Sequence, residues 1–406
     1  MSKAVPEGWT KSILGEEIRL IKGSLAKDLY DQKKERMIPY LLIESFNGRL
    51  SRYVYPTGLT VCKEEDPILV MDGSRSGLVL RGKSGVIGST LASILPSEPS
   101  RLDKGYLFYV LDSLYKLINK SKTSGAVPHV DRNLLLNVPV FLPPLLEQQK
   151  IATILSSVDT VIEKTKAVIE QTKIVKKGFM QELLTKGIPG QHKKFKKTFV
   201  GEIPEEWEVV RLEDVAKVQT GVAKNKNIES KDGIMLPYLR VANVQDGFLD
   251  LAEVKNIPVE ENDAKRYLLQ KGDVLFTEGG DNDKLGRGCV WEAQINPCLH
   301  QNHIFAVRCS SRISPYYLSI YASSPQGKSF FFNSSKQTTN LASINSTQLK
   351  TFSIPLPSLK EQVQIVSMLN SISNMETCEN AYLVTLFDIK FAIMQVLLTG
   401  KVMVII

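Results

Sequence analysis

Reactive side chains are scarce in this 406-residue sequence. It has four histidines, and none stands beside a serine or cysteine in a context suited to nucleophilic catalysis. Five cysteines (Cys62, Cys289, Cys298, Cys309, Cys378) are odd in number, widely spaced and free of any CxxC pair, which argues against a disulfide framework or a structural zinc site. No Asn-Pro-Pro-Tyr or Asp-Pro-Pro-Tyr tetrapeptide for base methylation occurs. The first residues lack the apolar run of a signal peptide, and no stretch approaches the roughly 20 apolar residues of a membrane span. A protein of the reducing cytoplasm, without a membrane, is expected. Charge is not extreme either. The 51 Lys and Arg against 43 Asp and Glu leave +8, and the composition is near the globular average, which excludes disordered and collagenous chains. The length suggests two domains.

Three fragments resemble chemical sites. Gly77 to Ser84 matches the phosphate-loop pattern GxxxxGK[ST], but the sequel Gly85-Val86-Ile87-Gly88 offers strand, where a nucleotide site needs a helix. A nucleotide-binding enzyme using Gly77–Ser84 stays a lesser alternative, with Lys83 read as a hairpin-tip cation. Cys298 to His303 gathers sulfur and imidazole, but lacks the second ligand cluster that zinc wants. Asp273, Glu278 and Lys284 have a nuclease-like composition, and their spacing fits a strand-to-loop turn equally well. Neither a catalytic residue nor a metal site is expected.

What the sequence does have is itself, twice. Val5-Pro6-Glu7-Gly8-Trp9 returns as Ile203-Pro204-Glu205-Glu206-Trp207, 198 residues on, and Ile38-Pro39-Tyr40-Leu41 returns as Leu236-Pro237-Tyr238-Leu239 at the same offset. Leu142-Pro143-Pro144-Leu145-Leu146-Glu147-Gln148 returns as Leu356-Pro357-Ser358-Leu359-Lys360-Glu361-Gln362 at an offset of 214. The ends of the repeat are kept and the middles diverge, as in one framework that presents two different surfaces.

Each copy reads as short β-branched runs between Gly, Ser and Asp clusters, and then as a long helix opened by proline. The apolar rhythm of the first helix falls on Ile151, Leu155, Val158, Ile162, Thr165, Ile169, Thr172, Lys176, Phe179 and Leu183. In the second it falls on Ile365, Leu369, Ile372, Glu376, Glu379, Leu383, Leu386, Lys390, Ile393 and Leu397. Steps of four and three are those of a coiled coil, and each helix would be about 55 Å long. The fold class is therefore α/β (α+β): two mixed β-rich domains separated by two long antiparallel helices forming a coiled coil, with pseudo-twofold internal repetition. The same stripe would also suit an ordinary helix face in a globular core. The expected segments are domain 1 (1–145), helix 1 (146–187), a basic linker (188–198), domain 2 (199–357), helix 2 (358–399) and an apolar tail (400–406).

Basic residues gather on loops at corresponding places. In the first copy these are Lys27, Lys33, Lys34, Arg36, Arg75, Arg81 and Lys83, and in the second Lys224, Asn225, Lys226, Asn227, Asn282, Lys284 and Arg287. Lys and Arg neutralise phosphates, while Arg, Asn, Gln and Lys make paired bonds to base edges, so all fourteen are candidate DNA contacts. The tract Gln191 to Lys197 is either a phosphate contact or a plain soluble linker.

With Pro-Glu-x-Trp opening each half, an Asp-x-Leu-[Val/Phe] strand (Asp273 to Phe276) before a Gly-rich turn, and Leu-Pro-x-Leu-x-Glu-Gln leading each long helix, the whole chain resembles the specificity (S) subunit of type I restriction-modification enzymes. The resemblance implies a non-catalytic subunit that reads a bipartite target in double-stranded DNA with two target recognition domains. It also implies that two modification (methyltransferase) subunits dock on the helices, that restriction/motor subunits join them, and that S-adenosylmethionine, ATP and Mg belong to those partners, with no cofactor on this chain. A type IIB-like enzyme, cutting on both sides of its site, would use a similar subunit and differ only in its partners.

Overall fold

The structure, a computed structural model, describes residues 5–48, 52–120, 128–223, 233–280, 285–337 and 342–404. The chain forms two compact units: residues 1–167 with 380–406, and residues 168–379. The long helices, Leu145–Thr185 and Leu359–Leu397, each contribute one half to either unit.

In the first unit a four-stranded antiparallel sheet runs in the order Ile18–Lys22, Leu91–Pro96, Ile68–Val70, Val79–Leu80. Beside it a smaller sheet runs Arg52–Val54, Ile38–Leu41, Gly85–Ile87, Val61–Cys62, with Ile38–Leu41 parallel to Gly85–Ile87. The second unit repeats this order. Ala216–Thr220, Ile304–Cys309, Val274–Thr277 and Gly288–Val290 form the larger sheet, and Lys255–Val259, Ile234–Leu239 and Leu299–His300 the smaller, with the same parallel pair. The central strands are apolar on both faces because both faces are covered, as Ile68, Leu69 and Val70 in one copy and Val274, Leu275 and Phe276 in the other are all buried.

The repeated motifs meet in space, which explains why they repeat. The indole of Trp9 donates to Glu147 at 3.1 Å, and that of Trp207 to Glu361 at 3.0 Å. Next in sequence, the Gln148 amide donates to the carbonyls of Pro143 and Arg101 and accepts from the Asp103 N–H. Gln362 does the same with Pro357, Arg312 and Ser314. The two tryptophans, two glutamates and two glutamines are all buried, so every polar atom needs its partner. Asp103 and Ser314 are the N-caps of the helices Lys104–Ser113 and Pro315–Ser323. The start of each long helix thus grips both the entry strand and the capping residue of a β-domain helix.

Within each unit the two helix halves run antiparallel. In the first, Ile151 and Leu155 share a core with Met394, Leu397 and Leu398, Asp159 pairs with Lys390 at 2.8 Å, and Lys166 lies 5.6 Å over the Phe387 ring. In the second, Lys176 pairs with Glu376 at 3.0 Å, and Leu183 shares a core with Ile365 and Leu369. Numbers rise along one helix as they fall along the other. Every residue of the two four-and-three stripes is buried or half-buried. Burial pulls the Lys390 ammonium toward neutrality, but Asp112 at 3.0 Å and Asp159 outweigh it and hold its pKa above the usual lysine value.

Two expectations need correction. The sequence reading found no membrane-length apolar stretch, yet the second long helix contains an 18-residue window with a mean hydropathy of 1.3, enough by length and composition alone. That apolarity serves two purposes, since one stripe packs on the first helix and a second lies exposed. Nor is the basic tract a plain linker. Phe195–Thr198 forms a hairpin with Gly201–Pro204, and His192 lies 2.7 Å from Glu361. The tail makes the corresponding contact in the first unit, where the Val404 N–H donates to Glu147 at 3.1 Å.

Candidate nucleic-acid interface

Each β-domain brings two loops side by side. One loop follows the central strand of the smaller sheet, and the other joins two strands of the larger. In the first unit these are the 3-10 turn Ile43–Asn47 and the turn between Ile68–Val70 and Val79–Leu80. They border a cleft of about 490 Å³ lined by Ile43, Glu44, Asn47, Asp72, Gly73, Ser74 and Arg75. The Asn119 amide braces the second turn through the carbonyls of Ser76 and Ser74, at 2.9 and 3.3 Å. Gly77 closes it at φ +93°, where a Cβ would stand 2.9 Å from Ile118. Asp72, just past its strand, accepts from the Nδ1–H of His129 at 2.6 Å, with Lys22 at 3.8 Å.

The second unit builds the same place from different residues. Its 3-10 turn is Val241–Asn243, and Gln245 stands 198 residues after Asn47, the offset that relates the two tryptophans. Arg287, at the end of the glycine-rich turn, donates to the Gln245 carboxamide at 2.9 Å. Glu278 follows its strand as Asp72 does and pairs with His303 Nδ1 at 2.5 Å. Buried Phe331 lies against Gly286, where φ is +64° and no side chain fits.

Among the residues expected at the interface, Arg75 lies exposed at this cleft and Arg287 half-buried at the corresponding turn of the second unit. Lys27, Lys33, Lys34 and Arg36 are exposed on the loop before Ile38–Leu41, and Lys34 sits 5.0 Å over the Tyr30 ring. Arg81 has to be reassigned. Its guanidinium stacks 4.0 Å over Phe108, donates to the Tyr109 hydroxyl at 2.6 Å and stands 3.6 Å from Asp159. It is spent on fastening the β-domain to the first long helix. Lys83 is not at a hairpin tip, because Val79–Leu80 and Gly85–Ile87 belong to different sheets and the segment crosses between them. Lys224, Asn225, Lys226, Asn227, Asn282 and Lys284 lie outside the described residues. Asn47, Gln245 and His129 escaped the sequence reading, His303 entered it only as part of the Cys298–His303 fragment, and the shared 198-residue offset was the one signal that pointed to the carboxamides.

The chemical fragments find structural uses. The GxxxxGK[ST] match runs from strand to crossover to strand, with no helix to receive phosphate. Asp273 is almost fully buried and holds Arg308 through two bonds of 2.8 Å. Burial raises the thiols of Cys62 to about 11 and of Cys289, Cys298 and Cys309 to about 12, which leaves them unreactive. No group of three or more His, Cys, Asp or Glu side chains placed to hold a metal ion occurs among the described residues.

The family model for the type I restriction modification DNA specificity domain matches residues 6–172 and again residues 204–383. The chain belongs to the type I restriction-modification DNA specificity family. It is 33% identical to the type I restriction enzyme MjaVIII specificity subunit of Methanocaldococcus jannaschii, over 98% of this chain and 94% of that one. The EcoBI specificity subunit of Escherichia coli is 27% identical over 89% of this chain and 79% of its own length. In fold it is similar to the type I S subunit from M. genitalium, with a TM-score of 0.55 at 15% identity, covering 98% and 97% of the two chains. As a specificity subunit the chain is non-catalytic and directs a restriction-modification complex to its DNA sequence. The two family matches fall one on each half of the repeat, and each runs from the opening Pro-Glu-x-Trp into the long helix.

Proposed function

We propose that the two β-domains are target recognition domains, 1–145 and 199–357, each reading one half of a bipartite duplex target, and that the paired helices set the unspecified spacer between the halves. The observation that carries this is the matched pair of loop junctions, held on one framework yet built from different residues: Asn47 and Arg75 line a cleft in one, and Arg287 bonds to Gln245 in the other. Equal scaffolds with unequal linings suit two different half-sites on one DNA molecule.

The helices also carry support for a partner bound twice. Val161, Val168 and Val175 on the first and Met375, Tyr382 and Ile389 on the second recur at seven-residue spacing, at positions 214 apart, and all are exposed. Apolar stripes at equivalent places in a repeated molecule favour two copies of one occupant, here two modification subunits. Restriction/motor subunits would complete the assembly in the cytoplasm, with S-adenosylmethionine, ATP and Mg bound on the partners. The test is to co-express the chain with its modification subunit and sequence the methylated host DNA. A split motif with two defined halves and a fixed gap is expected, and a single continuous motif would refute the bipartite reading.

A further inference from the structure

In the first β-domain Asn47 and Arg75 line one cleft, and in the second Gln245 accepts a bond from Arg287, and carboxamides and guanidiniums make paired bonds to adenine and guanine in the major groove. Resting on the bipartite reading above, we propose that base selection is made by Asn47 with Arg75 in the first domain and by Gln245 with Arg287 in the second.

Three features of the structure converge on these four residues. Asn47 and Gln245 occupy the same position of the repeat, while Arg75 and Arg287 come from the same inter-strand turn at different places along it. The two pairs thus differ in side-chain length and in the point from which the arginine reaches, as two different half-sites require. Arg287, moreover, bonds to a neutral amide although Glu278 follows the strand opposite it. His303 takes that carboxylate at 2.5 Å, as His129 takes Asp72 at 2.6 Å. Asp72 and Glu278 are each bonded to an imidazole, and neither is paired with Arg75 or Arg287 among the described residues. Finally, the Gln245 amide also donates to the Ala242 carbonyl at 2.8 Å, so the carboxamide and guanidinium are held in one fixed arrangement before DNA arrives. The histidine–carboxylate pairs are positioning groups, and the carboxamides and arginines are the readers.

The experiment uses the full-length chain with a duplex library in which both half-sites are randomised, selected at one salt concentration and sequenced. Gln245→Ala and Arg287→Ala are expected to lose about ten- to a hundredfold of the preference at one or two positions of one half-site and leave the other untouched. Asn47→Ala and Arg75→Ala are expected to do the reverse. Gln245→Glu keeps an acceptor for Arg287 and so preserves the local fold, yet it removes the amide donors, and the favoured base there should move from adenine toward cytosine. Affinity lost evenly across all sequences would mark these residues as phosphate contacts and overturn the proposal. So would unchanged preferences in all four alanine variants, while the wild type still enriches two half-sites. A wild type that enriches no half-site refutes the bipartite reading itself, and the proposal falls with it.

Discussion

His300 is buried in the smaller sheet of the second unit, at the position where the first unit has Ile87: each pairs across the parallel strand, with Leu239 and Leu41 respectively. Neither of its ring nitrogens makes a hydrogen bond of good geometry, although the carbonyls of Gln219 and Tyr267 lie near enough to act on its charge. Burial lowers its pKa from 6.5 to about 4, against the opposing pull of Asp273 and of the carbonyls of Gln219 and Tyr267, with Arg308 adding to the depression. A histidine depressed in the folded state contributes its stability above the unfolded value of 6.5 and loses it as pH falls toward 4. At pH 5 the wild type should have lost about 2 kcal/mol through this group, rising to about 3 kcal/mol once both states are protonated. His300→Ile copies the first unit's solution. It should be about 1–3 kcal/mol more stable at neutral pH, because two unsatisfied polar atoms disappear, and the gap should widen by the pH-linked amount on acidification. Urea unfolding of both proteins at pH 7 and pH 5 measures this. Parallel pH dependences, with no widening of the gap, would show that His300 finds partners or stays charged, and the reasoning would fail.

Other expected outcomes concern the grip and the helices. Trp207→Phe removes the bond to buried Glu361 and should cost about 1.5–3 kcal/mol in thermal or urea unfolding, with the same loss for Trp9→Phe at Glu147. Lys390→Met leaves Asp112 without its cation and Asp159 with only Arg81 at 3.6 Å, and should destabilise by about 2–3 kcal/mol, the lower side of a broken buried pair because both carboxylates keep some solvent. Burial lowers the His192 pKa, but Glu361 and Glu206 more than reverse this and hold it above 6.5. Its stabilisation is therefore complete below that pH and fades as pH rises through the raised value. Proteolysis near Gln191 should accelerate in alkali, and His192→Gln should remove that dependence. Deleting one heptad from each long helix, residues 161–167 and 378–384, should shorten the unspecified gap by about three base pairs, at roughly 1.5 Å per helical residue, without altering either half-site. A methylome with altered half-sites would contradict the spacer role.

The helices were legible because their rhythm is local: apolar residues must recur every three or four positions for one face to be covered, and sequence records that directly. The Trp-Glu and Gln contacts were visible only as recurring words. Nothing in a linear reading says that Trp9 meets a carboxylate 138 residues away. Arg81 was misread for a related reason. Its setting among glycines resembles a surface turn, while Tyr109 and Asp159, which claim it, stand on two distant helices. Asn47 and Gln245 carry no local signal at all, since a lone amide after a strand is ordinary turn chemistry. Their meaning came from the repeat, which converts one position into a comparison between two.

The glutamate–glutamine couplings at the helix starts have a consequence for how such molecules change. They ask of a recognition domain only an indole, an N-capped helix and two backbone carbonyls, all remote from the loops that line the cleft. A foreign domain that meets those few requirements would seat on the same helix unaltered, so a recombination joint cut beside Leu-Pro-x-Leu can exchange one half-site's vocabulary while the other half keeps its own.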